Sequence, residues 1–371
     1  MSTMSTQHLD KITIKGFKSI RNLEDFELKN LNIVVGANGA GKSNLISFFR
    51  MLSALINGNL NRYVRDSGGA SDLLFSGRRV TDRMEFSTRF GKRGFRFSLV
   101  ATPKDDCAIE DEARFYASRT RWWELGDSDD GQSKLVAEVE NNTSDAHFSR
   151  PVFDAIDSWQ IYHFHDTSQN AGMRNYGIVQ DNQVLRTDAS NLGAFLMHLK
   201  QHCKQAYKNI VDAIQLVTPF FDNFNLESRE RGAKEEVNLS WHQNGSDYPM
   251  QPYHLSDGSI RFMCLATALL QPNLPSTIII DEPELGLHPA AIVILAELIQ
   301  QAAQRTQVLV ATQSVALIDQ FAIDDIIVVN REDGASTFER LDENNFTQWL
   351  ENYSVGELWT KNVISGGPKY A

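Results

Sequence analysis

The sequence predicts an α/β fold with a mixed central sheet, an antiparallel β-subdomain and a small helical insertion. Short apolar strands alternate with amphipathic helices toward both ends of the chain. Between about 72 and 140, apolar and polar residues alternate between Gly- and Asp-rich turns, and residues 191–217 shift to helical spacing. The length of 371 residues, with 42% hydrophobic and 22% charged, suits one large globular unit. Residues 1–371 are therefore expected to form a single unit. Within it, 72–140 would make the antiparallel subdomain, 190–227 the helical insertion and 250–330 a second lobe.

Lys11–Ile20 alternates Ile12, Ile14 and Ile20 with polar residues and reads as the opening strand. Leu31–Val35 is a buried strand ending at Gly36, and a helix begins near Lys42 with Leu45, Ile46, Phe49 and Leu52 inward. Met84–Phe90, Phe95–Val100, Arg114–Ala117 and Ser133–Val139 read as strands of the subdomain, laid over that first helix. Trp159–Phe164 is a further strand, Tyr176–Leu185 a loop, and Ser228–Lys234 a charged loop between lobes. From Asn191 to Val217, Leu192, Phe195, Leu196, Leu199, Ile210 and Ile214 share one helical face. The heptad pattern of a long coiled coil is not sustained. After Ser256 come a helix, the strand Thr277–Ile280, a helix from Ala290, and the strands Val308–Ala311 and Asp325–Val329.

No apolar run reaches the ~18–20 residues of a membrane span, so no membrane partner is expected. The start, MSTMSTQHLDK, lacks the apolar core of a signal peptide. Cys107, Cys203 and Cys264 show no metal spacing and suit a reducing, cytoplasmic location. A net charge of −11 means that any nucleic-acid contact needs a local basic patch. Arg78-Arg79, Lys92-Arg93 and Arg119–Trp123 are the candidates, since guanidinium and aromatic side chains together hold single strands. Exposed Arg and Trp serve protein interfaces equally well.

Gly36-Ala37-Asn38-Gly39-Ala40-Gly41-Lys42-Ser43 fits G-x-x-x-x-G-K-[ST], with a strand before it and a helix after. Backbone N–H groups from Gly36 to Asn44 would cradle the phosphates of ATP, and Lys42 would reach the β- and γ-phosphates. Ser43 would offer its hydroxyl to Mg2+. The apolar strand Thr277–Ile280 ends in Asp281-Glu282, two carboxylates at the sheet edge where open α/β folds bind ligands. Asp281 suits Mg2+, and Glu282 suits a general base for the attacking water. Leu255-Ser256-Asp257-Gly258-Ser259 opens the apolar helix Ile260–Leu270, presenting N–H groups and a hydroxyl to an anion or simply capping that helix.

Together these motifs resemble the compact SMC/RecF/OLD-like ABC ATPases, and the expected fold is an ABC-type P-loop NTPase head. Ser256 and Gly258 then match the signature, in the LSDG form, which acts on the nucleotide of the opposite subunit. The resemblance thus implies a homodimer with ATP sandwiched between heads. Glu284–Pro289 resembles the D-loop that crosses the dimer interface, although His288 beside Pro289 also reads as a helix start. Val308–Ser314 resembles the switch strand, with Gln313 where these families carry histidine. Gln keeps an N–H donor without a charge, so slow hydrolysis is expected. The family's glutamine loop has no obvious match; by order, His165 or Asp166 falls there, near Mg2+. His163 and His165 suggest a metal pair or structural strand residues. Tyr353–Trp359 and Ile364–Pro368 resemble the tail of standalone members.

The resemblance implies an ATP-gated sensor or regulator in a bacterial anti-phage complex, or a DNA repair ATPase that binds DNA itself. Only 57 residues follow Ser314, too few for a TOPRIM nuclease domain, so the effector, a nuclease or toxin, is expected to be a separate protein. A transporter ATPase fits less well, because the signature departs from LSGGQ and the switch histidine is missing.

Overall fold

The computed structural model describes residues 8–117, 121–232 and 234–364. The opening Met-Ser-Thr repeat, Arg119 and residues 365–368 of the tail lie outside them. The chain begins with β1 (Lys11–Phe17), β2 (Ile20–Glu27), β3 (Leu31–Val35), α1 (Lys42–Ile56), α2 (Leu60–Asp66) and α3 (Ala70–Leu73). Next come β4 (Arg83–Phe90), β5 (Arg93–Ala101), β6 (Cys107–Tyr116), β7 (Arg121–Ser128), α4 (Lys134–Glu140) and α5 (Ala146–Asp157). The middle holds β8 (Gln160–Tyr162), β9 (Gly177–Ile178), α6 (Leu192–His202) and α7 (Lys204–Val217). Five short strands follow: β10 (Phe221–Asn225), β11 (Ser228–Arg231), β12 (Lys234–Val237), β13 (Ser240–Gln243) and β14 (Pro249–Met250). The last part runs α8 (Asp257–Leu270), β15 (Thr277–Asp281), α9 (Pro289–Ala303), β16 (Gln307–Thr312), α10 (Val315–Ile318), β17 (Ile326–Glu332), β18 (Ala335–Arg340), α11 (Thr347–Leu350) and α12 (Val355–Thr360).

The central sheet has the order β18-β17-β3-β16-β15-β8 and is mixed: β18 is antiparallel to β17, and the other neighbours are parallel. Alternation splits its side chains between two cores. Ile33, Val35, Ile278, Ile280, Val308 and Val310 join the helices α6 to α9 on one face. Val34, Ile279, Leu309 and Ala311 meet α1 and the antiparallel sheet on the other. With both faces covered, β3, β15 and β16 read as near-continuous apolar runs.

The antiparallel sheet, β2-β1-β4-β5-β6-β7, takes in β1 and β2 and so extends beyond residues 72–140. Phe86, Phe97 and Leu99 point from it onto Phe48, Phe49 and Leu52 of α1. Three local expectations are corrected, at Ser133–Val139, Ser228–Lys234 and Tyr176–Leu185, and two further strands, β7 and β18, are added. Ser133–Val139 is not a strand: Ser133 caps α4 by accepting from Val136 N, and the buried Glu112 accepts from Lys134 N and Leu135 N. Arg121–Trp123 opens strand β7, which its mixed polarity concealed. Ser228–Lys234 is not a loop but the β11–β12 hairpin, and Gly177–Ile178 of the expected loop adds to its edge. Strand β18 follows a turn in which Asp333 and Gly334 both have positive φ, an Asp-Gly hairpin signal.

Candidate nucleotide-binding site

The phosphate loop is held in place from behind. A Cβ on Gly36 would run into the carbonyl of Val329, and one on Gly41 (φ 125°) into Ser336. Ser336 Oγ donates to Ala40 O at 2.5 Å and lies 2.6 Å from Ser19 Oγ, which accepts from Asn44 Nδ2 at 2.6 Å. Arg331 donates to Gly39 O at 3.2 Å. Asn38, Gly39 and Ser43 stay exposed, while Ala40 is buried. Lys42 is only 6% exposed, and its ammonium donates to Gly36 O at 2.7 Å. Burial lowers its pKa, opposed by the nearby Glu282, Asp281 and Glu284.

The parallel strands β8, β15, β16 and β3 are neighbours, and the chain segments leaving their C-terminal ends supply the rest. Asp281 closes β15 opposite Ala311, and burial raises its carboxyl pKa against the pull of His165, Arg50 and Lys42. Glu282 adopts a left-handed conformation (φ 45°), with its N–H donating to Ala311 O at 2.8 Å. Strain of this kind in a non-glycine residue is concentrated at functional sites. Gln313 Nε2 donates to Glu282 Oε1 at 3.1 Å.

Of the two residues expected near the metal, His165 is the one that reaches Asp281, with Nε2 3.0 Å from its carbonyl oxygen. Asp166 instead accepts from Ser168 N at 3.0 Å and caps its own turn. His163 faces Arg50, 3.5 Å away, and burial lowers its pKa. Among the described residues no group of three His, Cys, Asp or Glu could hold a metal, so the His163–His165 pair lacks a third such ligand.

The residues present fit a nucleotide triphosphate with a divalent cation. Among the described residues, the buried ammonium of Lys42 has only neutral carbonyls as hydrogen-bond partners. Beside it the first N–H groups of α1 have no intrahelical acceptor, which favours an anion. Asp281 and Ser43 supply the hard oxygen donors that suit Mg2+.

Ser256 lies at the exposed start of α8, accepting from Ser259 N at 3.1 Å. A Cβ on Gly258 would run into Gly286 O, so this turn packs directly on the segment after Glu284. His288 caps α9 by accepting from Ala290 N at 3.3 Å. Two buried arginines that sequence reasoning passed over tie these pieces together. Arg261 donates to the carbonyls of Phe164 (2.9 Å), His165 (3.2 Å) and Leu285. Arg174 donates to Thr167 O at 2.8 Å, Leu255 O at 3.1 Å and Asp257 at 2.9 Å. The available signal was a lone Arg inside the apolar run Ile260–Leu270, since a buried cation must be paired.

A mixed central sheet with this loop after one of its parallel strands and adjacent carboxylates after another has the fold of the compact SMC/ABC-type ATPase heads. The family model described as "AAA domain, putative AbiEii toxin, Type IV TA system" matches residues 31–319, and the chain belongs to that family. Among solved structures it is similar to an Smc head bound to the C-winged helix domain of ScpA. That likeness has a TM-score of 0.61 and 17% identity, covering 92% of this chain and 99% of that one. It is also similar to the Smc head with an extended coiled coil from Pyrococcus furiosus, bound to the C-terminal domain of ScpA. There the TM-score is 0.58 and the identity 15%, over 93% of this chain and 98% of that one. At such identities the likeness is one of fold. No curated protein matches the chain. Among the described residues no helix is long and apolar enough to cross a membrane.

Proposed function

We propose that the protein binds ATP with Mg2+ between two copies meeting head to head, hydrolyses it slowly, and acts as the ATP-gated sensor or regulator of a bacterial defence complex with a separate effector. The observation that carries this reading is the convergence of Lys42, Asp281, Glu282 and Gln313 at one sheet edge, while Ser256 stands exposed on another helix start. In that reading Gly36–Asn44 hold the phosphates, Ser43 and Asp281 hold the cation, and Ser256 and Gly258 meet the partner's nucleotide. A bound Mg2+ would draw charge from the phosphates. Glu282 would take a proton from the attacking water, and Gln313, already on Glu282, would hold that water in line. The family description, which names a putative toxin of a type IV toxin–antitoxin system, supports the defence role. Phosphate release by the purified protein, abolished in Glu282→Gln, tests the enzymology. Loss of phage protection in the same variant, with the neighbouring genes intact, tests the role.

A second reading, direct DNA binding, has its own observation. The structure brings Lys92-Arg93 and Arg121–Trp123 to one end of the antiparallel sheet, where Arg93, Tyr116 and Arg121 are cross-strand neighbours. Arg89 stacks over Phe115 at 3.7 Å and Trp122 at 4.5 Å. DNA binding that weakens steeply with salt and is lost in Arg89→Ala would favour this reading.

A further inference from the structure

Glu284 has no part in the chemistry described so far, yet it is placed where packing alone would not favour a carboxylate. It is 8% exposed, and its Oε2 is buried without a hydrogen-bond partner among the described residues. Keeping a carboxyl there is costly, and an apolar side chain would fill the space more cheaply. Its other oxygen is tightly engaged: Thr312 Oγ1, fully buried, donates to Glu284 Oε1 at 2.5 Å. The same threonine hydroxyl accepts from Ser314 N at 3.0 Å. A relay therefore runs from the Ser314 N–H through Thr312 to Glu284, bracketing Gln313 on both sides.

We propose that Glu284 is a positioning residue for hydrolysis, clamping the Thr312–Ser314 turn so that the Gln313 amide stands against Glu282. The clamp crosses between the segments that leave two adjacent strands, β15 and β16. The Glu282 N–H bond to Ala311 O and the Glu284–Thr312 bond join them just before Gln313, and the Ser314 N–H bond to Thr312 Oγ1 closes the turn after it. A glutamine amide on a free turn would sample several rotamers, whereas the clamp holds its backbone and leaves only the side chain to set. What the site needs from residue 284 is one acceptor oxygen, which a neutral amide also supplies.

This inference rests on the ATPase reading, so wild-type phosphate release and ATP affinity are measured first, by phosphate sensor and by titration calorimetry. Glu284→Ala and Thr312→Val should each lower kcat about ten- to thirtyfold while ATP affinity stays within about twofold. Glu284→Gln should remain within about threefold of the wild-type kcat. The double variant Glu284→Ala/Thr312→Val should be no slower than either single one, because both break the same bond. Thr312→Val turning over at the wild-type rate overturns the proposal, even where Glu284→Ala does not fold. Glu284→Gln falling as far as Glu284→Ala, with kcat, ATP affinity and Tm lost together, also overturns it and leaves a structural role. A wild type that binds ATP and releases no phosphate is a different failure, that of the hydrolysis reading, and takes this proposal with it.

Discussion

Lys42 is a buried ammonium whose hydrogen bonds go to carbonyls of its own loop, an arrangement that stores a cation for an incoming anion. Lys42→Ala should therefore abolish ATP binding with little change in Tm, as calorimetric titration with ATP and Mg2+ would show; unchanged affinity would remove the phosphate-loop assignment. Gln313 offers an uncharged donor beside Glu282. A charge-assisted bond is stronger than a neutral one by roughly 1–2 kcal/mol, about ten- to thirtyfold in rate. Gln313→His should thus raise kcat, and Gln313→Ala should lower it further while leaving ATP affinity nearly intact; phosphate release at saturating ATP reads both. Glu284 also carries a pH signature. Burial raises its carboxyl pKa in the folded protein. The folded state then keeps that proton to higher pH than the unfolded chain does, and the stability gained is lost as pH rises above the ordinary carboxylate range and through the raised pKa of the folded state. The Tm of Glu284→Gln relative to the wild type should accordingly increase from pH 4 to pH 8. A constant difference would mean that the carboxyl is solvated.

The turn that starts α8 sits on an exposed helix end, held by its own residues, by Gly286 and by Arg174 on Asp257, with the Ser256 side chain exposed. Ser256→Arg should leave the ATP affinity of one subunit unchanged yet block hydrolysis, since the opposite head could no longer close. Wild-type turnover in that variant would reduce Ser256 to a helix cap. Legibility in the sequence also divides by element. Strands β3, β15 and β16 were plain because both their faces are buried, so each is an apolar run ending in Gly36, Asp281 or Gln313. Helix α4 was misread as a strand because Leu135, Val136 and Val139 fill too short a window to separate the two periods, and its deciding feature is a distant carboxylate, Glu112. The β11–β12 hairpin was missed because Arg229, Glu230 and Arg231 are exposed on both faces and leave no alternation to read. For the candidate site, the phosphate-loop pattern and the paired carboxylates were legible as local motifs. The Arg261 and Arg174 ties were not, because each joins segments about a hundred residues apart or less through backbone carbonyls, which no side-chain pattern records.

At the scale of the molecule, one core lies on each face of the central sheet, with the phosphate loop and carboxylates at the C-terminal ends of its parallel strands. The overall charge of −11 would set two copies against each other by repulsion. In the proposed head-to-head arrangement, ATP with Mg2+ would bridge the two copies through basic and N–H groups of both, local contacts that have to outweigh that repulsion, and hydrolysis would remove the bridge. In Glu282→Gln the residue proposed to activate water is replaced while the proposed phosphate-binding residues are kept. The most direct test is the sedimentation of this variant with and without ATP and Mg2+, with cross-linking from a cysteine placed at Ser256 where the free protein already dimerises. The head-to-head account requires a stable ATP-dependent dimer, or a new Ser256-face cross-link, that is absent without nucleotide and absent in Lys42→Ala. A Glu282→Gln protein that binds ATP tightly and gains neither would contradict it.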